Sequence, residues 1–220
     1  MGRRGVGRPR AVPRPETGLS PREELLAAAA ELFTVNGYSA TTTREVAERA
    51  GIRQATLYHY FTGKEALLAE LLESTVRPSL EAARLLAASD APAGARLWAL
   101  AHRDATLLCT GEHNLGALYL LPEADRFLDF QELRTALRRA YAALLAPLTA
   151  GLPQPERDLR ADLVYAVVES VILIRRNVAA HARDETMAEA VADAALRVGG
   201  VGEGDLARLR ELGRALLPGG

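Results

Sequence analysis

The chain has 220 residues, 49% of them hydrophobic, 25% charged and only 5% aromatic, with a formal net charge of -1. That apolar share and length suit a folded chain with a sizeable core, and no uncharged apolar run is long enough to predict a membrane-spanning helix. Residues 1–65 hold ten basic and seven acidic side chains, and residues 66–220 hold seventeen basic and twenty-one acidic, so a basic head on an acidic body suggests a polyanion partner for the head or a solubilising tail.

Ala, Leu, Glu and Arg dominate, and with almost no β-branched alternation the chain reads as all-α. Ser20-Pro21-Arg22-Glu23 predicts a capping box with proline at the first helical position, opening a helix that stops at Gly37. Its apolar stripe is Leu25, Leu26, Ala29, Leu32 and Phe33. Thr42-Thr43-Arg44-Glu45 predicts a second box and a short helix ending at Gly51, followed by a third helix from Gln54 to Tyr60. Thr62-Gly63-Lys64-Glu65 predicts a third box at the head of a long helix that kinks or restarts near Pro78. Asp90-Ala91-Pro92 opens a helix reaching Cys109, and further helices are predicted over 114–121, 123–149, 156–181, 185–198 and 203–216.

Residues 42–61 have the physics of a helix-turn-helix, two short helices joined by a tight turn at Gly51. Val46, Ala47, Ala50, Ile52 and Leu57 pack the two helices together, leaving Arg44, Arg53, Gln54, Thr56, Tyr58 and His59 outward. Arginine and glutamine suit guanine and adenine edges in the major groove, while hydroxyls and a lysine suit phosphate oxygens. The alternative is a set of ordinary surface groups, with Tyr58, His59 and Tyr60 sealing the junction to the next helix. Tyr60 is expected to do so in part.

The run from Phe33 and Gly37, through Thr43, Val46-Ala47 and Ala50-Gly51, to Thr56-Leu57-Tyr58-His59-Tyr60-Phe61 and Lys64-Glu65 closely resembles the TetR (tetracycline-repressor-like) family of transcriptional regulators. The resemblance covers about residues 20–80. It implies a three-helix DNA-binding domain at 20–80 with its helix-turn-helix at 42–61. It further implies a helical ligand-binding and dimerisation domain at 81–200, between a basic arm at 1–19 and a C-terminal helix and tail at 201–220. It implies base contacts from Arg44, Gln54 and Tyr58, with Arg53 joining them, and phosphate contacts from Thr43, Thr56, His59, Tyr60 and Lys64. Gly7-Arg8-Pro9-Arg10 is similar to arms that enter the minor groove, which makes Arg8 and Arg10 DNA contacts. Arg53 stands where the family often has a serine N-cap, a loss worth about 1 kcal/mol of local helix stability.

In the body, Leu163–Ile174 is apolar nearly all round and needs cover on several sides, which a second copy supplies readily. The resemblance places the homodimer interface on helices 156–181 and 185–198, where Met187, Val191, Ala194 and Ala195 form a small-residue stripe. Candidate ligand contacts are Trp98, His102, Cys109, Asn114, Tyr119, Phe127, Tyr165 and Glu169, a few polar groups among apolar ones. Trp98 reads first as core and second as ligand wall, and His102 as a satisfied or surface histidine before a ligand contact. Glu169 needs a counter-charge from Arg175, Arg176, a partner chain or a cationic ligand.

His102-Arg103-Asp104 has the order of a kinase catalytic loop but lacks its glycine-rich companion, and Gly200–Gly204 follows no strand. Histidines 59, 102, 113 and 181 show no metal-site spacing, so no metal or cofactor is expected and the chain is not expected to be an enzyme. The lone Cys109 cannot form an internal disulfide, and no apolar segment follows the basic N-terminus, so a cytoplasmic location is expected. The expected function is a ligand-responsive regulator, more specifically a repressor, that binds duplex DNA as a homodimer and is released by a small molecule. The alternatives are a ligand-independent architectural DNA-binding protein and a helical enzyme with no visible motif.

Overall fold

Ser20 opens α1 (Pro21–Val35) with both halves of the capping box made: its backbone N–H donates to the Glu23 carboxylate at 2.8 Å, and its side chain accepts from the Glu23 N–H. This is a computed structural model, and it describes residues 18–177 and 185–217. The arm with Arg8 and Arg10, His181 and the extreme C-terminus lie outside the described residues. Thr42 and Glu45 complete the second box at the head of α2 (Thr43–Arg49). Gly51 turns the chain with φ of 65°, a left-handed conformation that any other residue adopts with strain, and α3 follows at Gln54–Tyr60.

The third capping box does not form. Gly63, not Thr62, is the N-cap of α4 (Lys64–Ser74), and no side-chain cap bond is made. Starting one residue late puts Glu65 out of register with Thr62, and the box needs both in step. The long helix is also divided. α4 ends at Ser74, and α5 (Arg77–Ala87) restarts with Pro78 in its first turn, as a missing amide donor dictates.

α6 (Ala93–Cys109) is the axle of the body. It packs against α5, α7 (Leu128–Leu145), α8 (Gln154–Asn177), α9 (Glu185–Val198) and α10 (Glu203–Arg214). It buries Leu97, Trp98, Leu100, Ala101 and Ala105 completely. Two predicted helices are corrected. Residues 114–121 form a tight 3-10 turn at Leu115–Leu120, and 123–149 breaks into a second turn at Pro122–Arg126, then α7, then a third at Ala146–Leu148. Pro122 opens the second turn and Pro147 lies in the first positions of the third, where a missing N–H costs least.

The C-terminal helix is stitched to the axle. A Cβ on Gly213 would sit 2.6 Å from Trp98 Cε3 and 3.0 Å from the Ala95 carbonyl, so only glycine lets α10 lie this close. Among the described residues no helix is long and apolar enough to cross a membrane.

Candidate nucleic-acid interface and polar centre of the body

Val46, Ala47, Ala50 and Leu57 are buried and Ile52 partly so, locking α2 against α3. The head is fastened from outside as well. Arg49 on α2 pairs with Glu31 on α1 at 2.6 Å, and Arg22 pairs with Glu70 while lying over the Phe61 ring. Phe61, at 4% exposure, seals the junction to α4, and Tyr60 stays 43% exposed, so the expected sealing role of Tyr60 passes to its neighbour.

On the opposite side Arg44, Arg53, Gln54, Tyr58 and His59 are exposed, and Thr43 and Thr56 are half-buried beside them. Gln54 Nε2 donates to the Thr43 hydroxyl at 3.3 Å, and the Tyr58 hydroxyl lies 3.1 Å from the same oxygen. Arg44 Nε donates to Glu48 at 2.8 Å, which leaves its two terminal nitrogens facing outward. Arg53 is the N-cap of α3 and makes no side-chain cap bond. Lys64 turns back under the loop, donating to the Tyr38 and Ser39 carbonyls at 2.8 and 3.4 Å with its ammonium 4.3 Å from the Tyr38 ring centre.

The eight candidate ligand residues of the body fall in four places. Trp98 and His102 stack at 4.8 Å, and the indole N–H donates to Asp193 on α9, which also accepts from Arg210 on α10. Cys109 and Asn114 flank the C-terminal end of α6. Burial pushes the Cys109 thiol up against the pull of Arg175, and Asn114 Nδ2 donates to the Ile172 carbonyl while its Oδ1 is buried without a partner. Phe127 lines a cavity of about 270 Å³ with Tyr38, Glu65, Glu123 and Arg126, where the body's second turn meets the head.

Tyr119, Tyr165 and Glu169 do converge, around a residue that sequence reasoning missed. Arg134 Nη2 lies 2.6 and 2.8 Å from the two Glu169 oxygens, and its guanidinium lies over the Tyr119 and Phe130 rings at 5.2 and 5.8 Å. Glu169 therefore takes its cation from α7. Arg175 instead donates to the Leu108, Thr110 and Gly111 carbonyls, closing the C-terminal end of α6. The Tyr119 hydroxyl is hydrogen-bonded to Thr75, in the break between α4 and α5. Burial raises the phenol pKa of Tyr119 and Tyr165.

Asp104 was also missed. It is 4% exposed, with Ser79 donating to Oδ1 at 2.7 Å and Tyr141 to Oδ2 at 3.0 Å. Burial pushes its pKa up to about 6, against the lowering effect of the two hydroxyl donors. The alternation His102-Arg103-Asp104 held the signal, since a polar residue on the buried stripe of an apolar helix requires partners. Surface hollows of the body include a groove of about 780 Å³ between α5 and α7, and a cleft of about 260 Å³ where Ala30 and Thr75 of the head region face Leu108, Glu112, His113 and Arg175.

Along α8, Leu159, Leu163 and Leu173 are 57%, 46% and 50% exposed, with Ala166 exposed between them. These positions recur at spacings of three, four and seven residues and form one apolar stripe. On α9 the expected stripe is corrected. Val191 and Ala195 are buried inside the protomer, and Ala190, with Ala194 partly, faces outward.

Residues 25–71 match the family model described as bacterial regulatory proteins, tetR family. The solved structure of AmtR from Mycobacterium smegmatis is 43% identical, with a TM-score of 0.82 over 92% of this chain and 97% of that one. KstR2 of Mycobacterium tuberculosis, titled a ketosteroid transcriptional regulator, superposes with a TM-score of 0.63 at 26% identity over 87% of this chain and 97% of that one. The transcriptional repressor KstR2 of Rhodococcus jostii is 33% identical over 129 residues, 56% of this chain and 63% of that protein, so the match spans less than two thirds of this curated relative. Head, body and likeness along nearly the whole of a solved chain agree: the protein belongs to the tetR family of bacterial regulatory proteins, which are helix-turn-helix regulators and not enzymes.

Proposed function

We propose that the chain is a transcriptional repressor that binds a palindromic duplex operator as a homodimer and is released by a small molecule. The observation that carries this reading is the exposed face of α2 and α3, where Arg44, Arg53, Gln54 and Tyr58 stand free of the core on a rigid two-helix unit. Arg44, Arg53, Gln54 and Tyr58 address base edges. Thr43, Thr56, His59, Tyr60 and the remaining donor of Lys64 address phosphates, and Arg8 and Arg10 reach the minor groove. The repressor sense is that of the relatives named above. A cytoplasmic location goes with it.

The exposed leucine stripe of α8 and the outward alanines of α9 supply the dimer contact. Two-fold pairing sets the recognition helices about 34–36 Å apart or a multiple of it, so anything that changes their spacing changes affinity. The effector's polar anchor is the Tyr119–Arg134–Glu169–Tyr165 cluster, because Tyr119 also holds Thr75 at the end of α4, the helix that carries the head. Trp98, His102, Cys109, Asn114 and Phe127 are further candidate effector contacts outside this cluster. A useful switch needs an effector preference of several kcal/mol for the DNA-incompetent form.

The test is duplex selection from a random pool with the purified chain, followed by a screen of small molecules for stoichiometric release. A palindromic consensus with a steep salt dependence supports the reading. Many weak sites and no releasing compound would favour an architectural DNA-binding protein instead.

A further inference from the structure

Gln54 and Tyr58 stand one turn apart on α3, and both reach the same atom of α2, the Thr43 hydroxyl oxygen. A hydroxyl oxygen accepts two hydrogen bonds and donates one. Gln54 Nε2 donates to it, and it shares a second hydrogen bond with the Tyr58 hydroxyl in which either oxygen can be the donor. Gln54 in turn keeps its second N–H and its Oε1. The bond from one N–H to Thr43 holds the amide in place beside α2 and leaves these two groups for a base. A donor and an acceptor side by side match N7 and the N6 amino group of adenine. The N-cap offers α3 no competing polar brace, since Arg53 makes no side-chain bond there.

We infer that Thr43 is a positioning residue for base readout: it orients the Gln54 amide to read adenine, with Tyr58 as a brace. This rests on the DNA-reading function proposed above. A threonine that only touched phosphate would set affinity alike for all sequences. One that orients Gln54 sets preference.

The experiment compares the full-length wild type, Thr43→Val and Thr43→Ser in duplex selection and competition binding. Valine keeps the shape and removes the hydroxyl, and serine restores the hydroxyl. The capping box of Thr42 and Glu45 is untouched by either change, and circular dichroism checks that both variants keep the wild-type helix content. The wild type should prefer adenine at one position of each half-site by about tenfold. Thr43→Val should shrink that preference to roughly twofold while leaving preferences elsewhere in the site intact, and Thr43→Ser should restore it. Uniform weakening by Thr43→Val with the adenine preference retained overturns the inference, as does a Thr43→Ser variant that behaves like Thr43→Val. A wild type without preference for any duplex overturns the DNA-reading function itself, and the inference with it.

Discussion

The indole N–H of Trp98 lies 2.9 Å from Oδ1 of Asp193, ninety-five residues further along the chain. Both groups are buried, and Arg210 shares the same carboxylate, so one acid ties α6, α9 and α10 together. Asp193→Ala would strand a buried indole donor and deprive Arg210 of its partner. Stability should fall by about 3 kcal/mol, read by chemical denaturation. A loss below about 0.5 kcal/mol would show that the tie carries little.

Asp104 makes stability depend on pH in a definite direction. Its folded pKa is raised to about 6, above the ordinary aspartate value of 3.8, so between those values the folded state holds a proton that the unfolded state lacks. Stability attributable to this group therefore rises as pH falls from 7 towards 4, by about 3 kcal/mol in all. The neighbouring groups are Ser79 on α5, Tyr141 on α7, Tyr165 and Glu169 on α8, and Tyr119 in the turn. Asp104→Asn should be more stable than wild type at pH 7, and its advantage should vanish near pH 4. Parallel stability curves for the two proteins would refute the assignment.

The leucines of α8 make oligomeric state the next measurement. Leu163→Arg with Leu159→Glu places charges on a stripe already exposed in the protomer, so the fold should survive with near-wild-type helix content. Sedimentation should report a monomer, and affinity for a palindrome should drop by at least about a hundredfold, since one half-site no longer assists the other. A variant that stays dimeric would place the interface elsewhere.

Gln54→Ala and Arg44→Ala should each cost about 1–3 kcal/mol of operator binding and relax one position of each half-site. Lys64→Ala should weaken all duplexes evenly and reduce the salt slope by about one. Identical base preferences in all three variants would argue against this orientation of the head.

The head was legible because its instructions are local. Ser20 with Glu23 and Thr42 with Glu45 lie within one helical turn of each other, and proline and glycine mark the neighbouring boundaries. The box at Thr62 failed because Gly63 takes the N-cap, one residue beyond the position that Glu65 could have served. The body was legible only as helices. Glu169 finds Arg134 thirty-five residues away, and Asp104 finds Ser79 and Tyr141 at separations of twenty-five and thirty-seven. No periodicity within one helix can choose among partners presented by another. The turn at Leu115–Leu120 was misread because Leu115, Leu118 and Tyr119 recur at a spacing that also suits an α-helix.

In the switch proposed above, the break at Thr75 would let α4 act as a lever arm. Eleven residues of helix span about 16 Å, so a swing of about 10° about the Tyr119 tether carries the far end through roughly 3 Å. In a two-fold pair the two swings oppose one another, and the half-site separation changes by roughly 6 Å, more than the rise of about 3.4 Å between neighbouring base pairs. In the dimer proposed above, a swing of that size would put the two reading heads out of step with the groove.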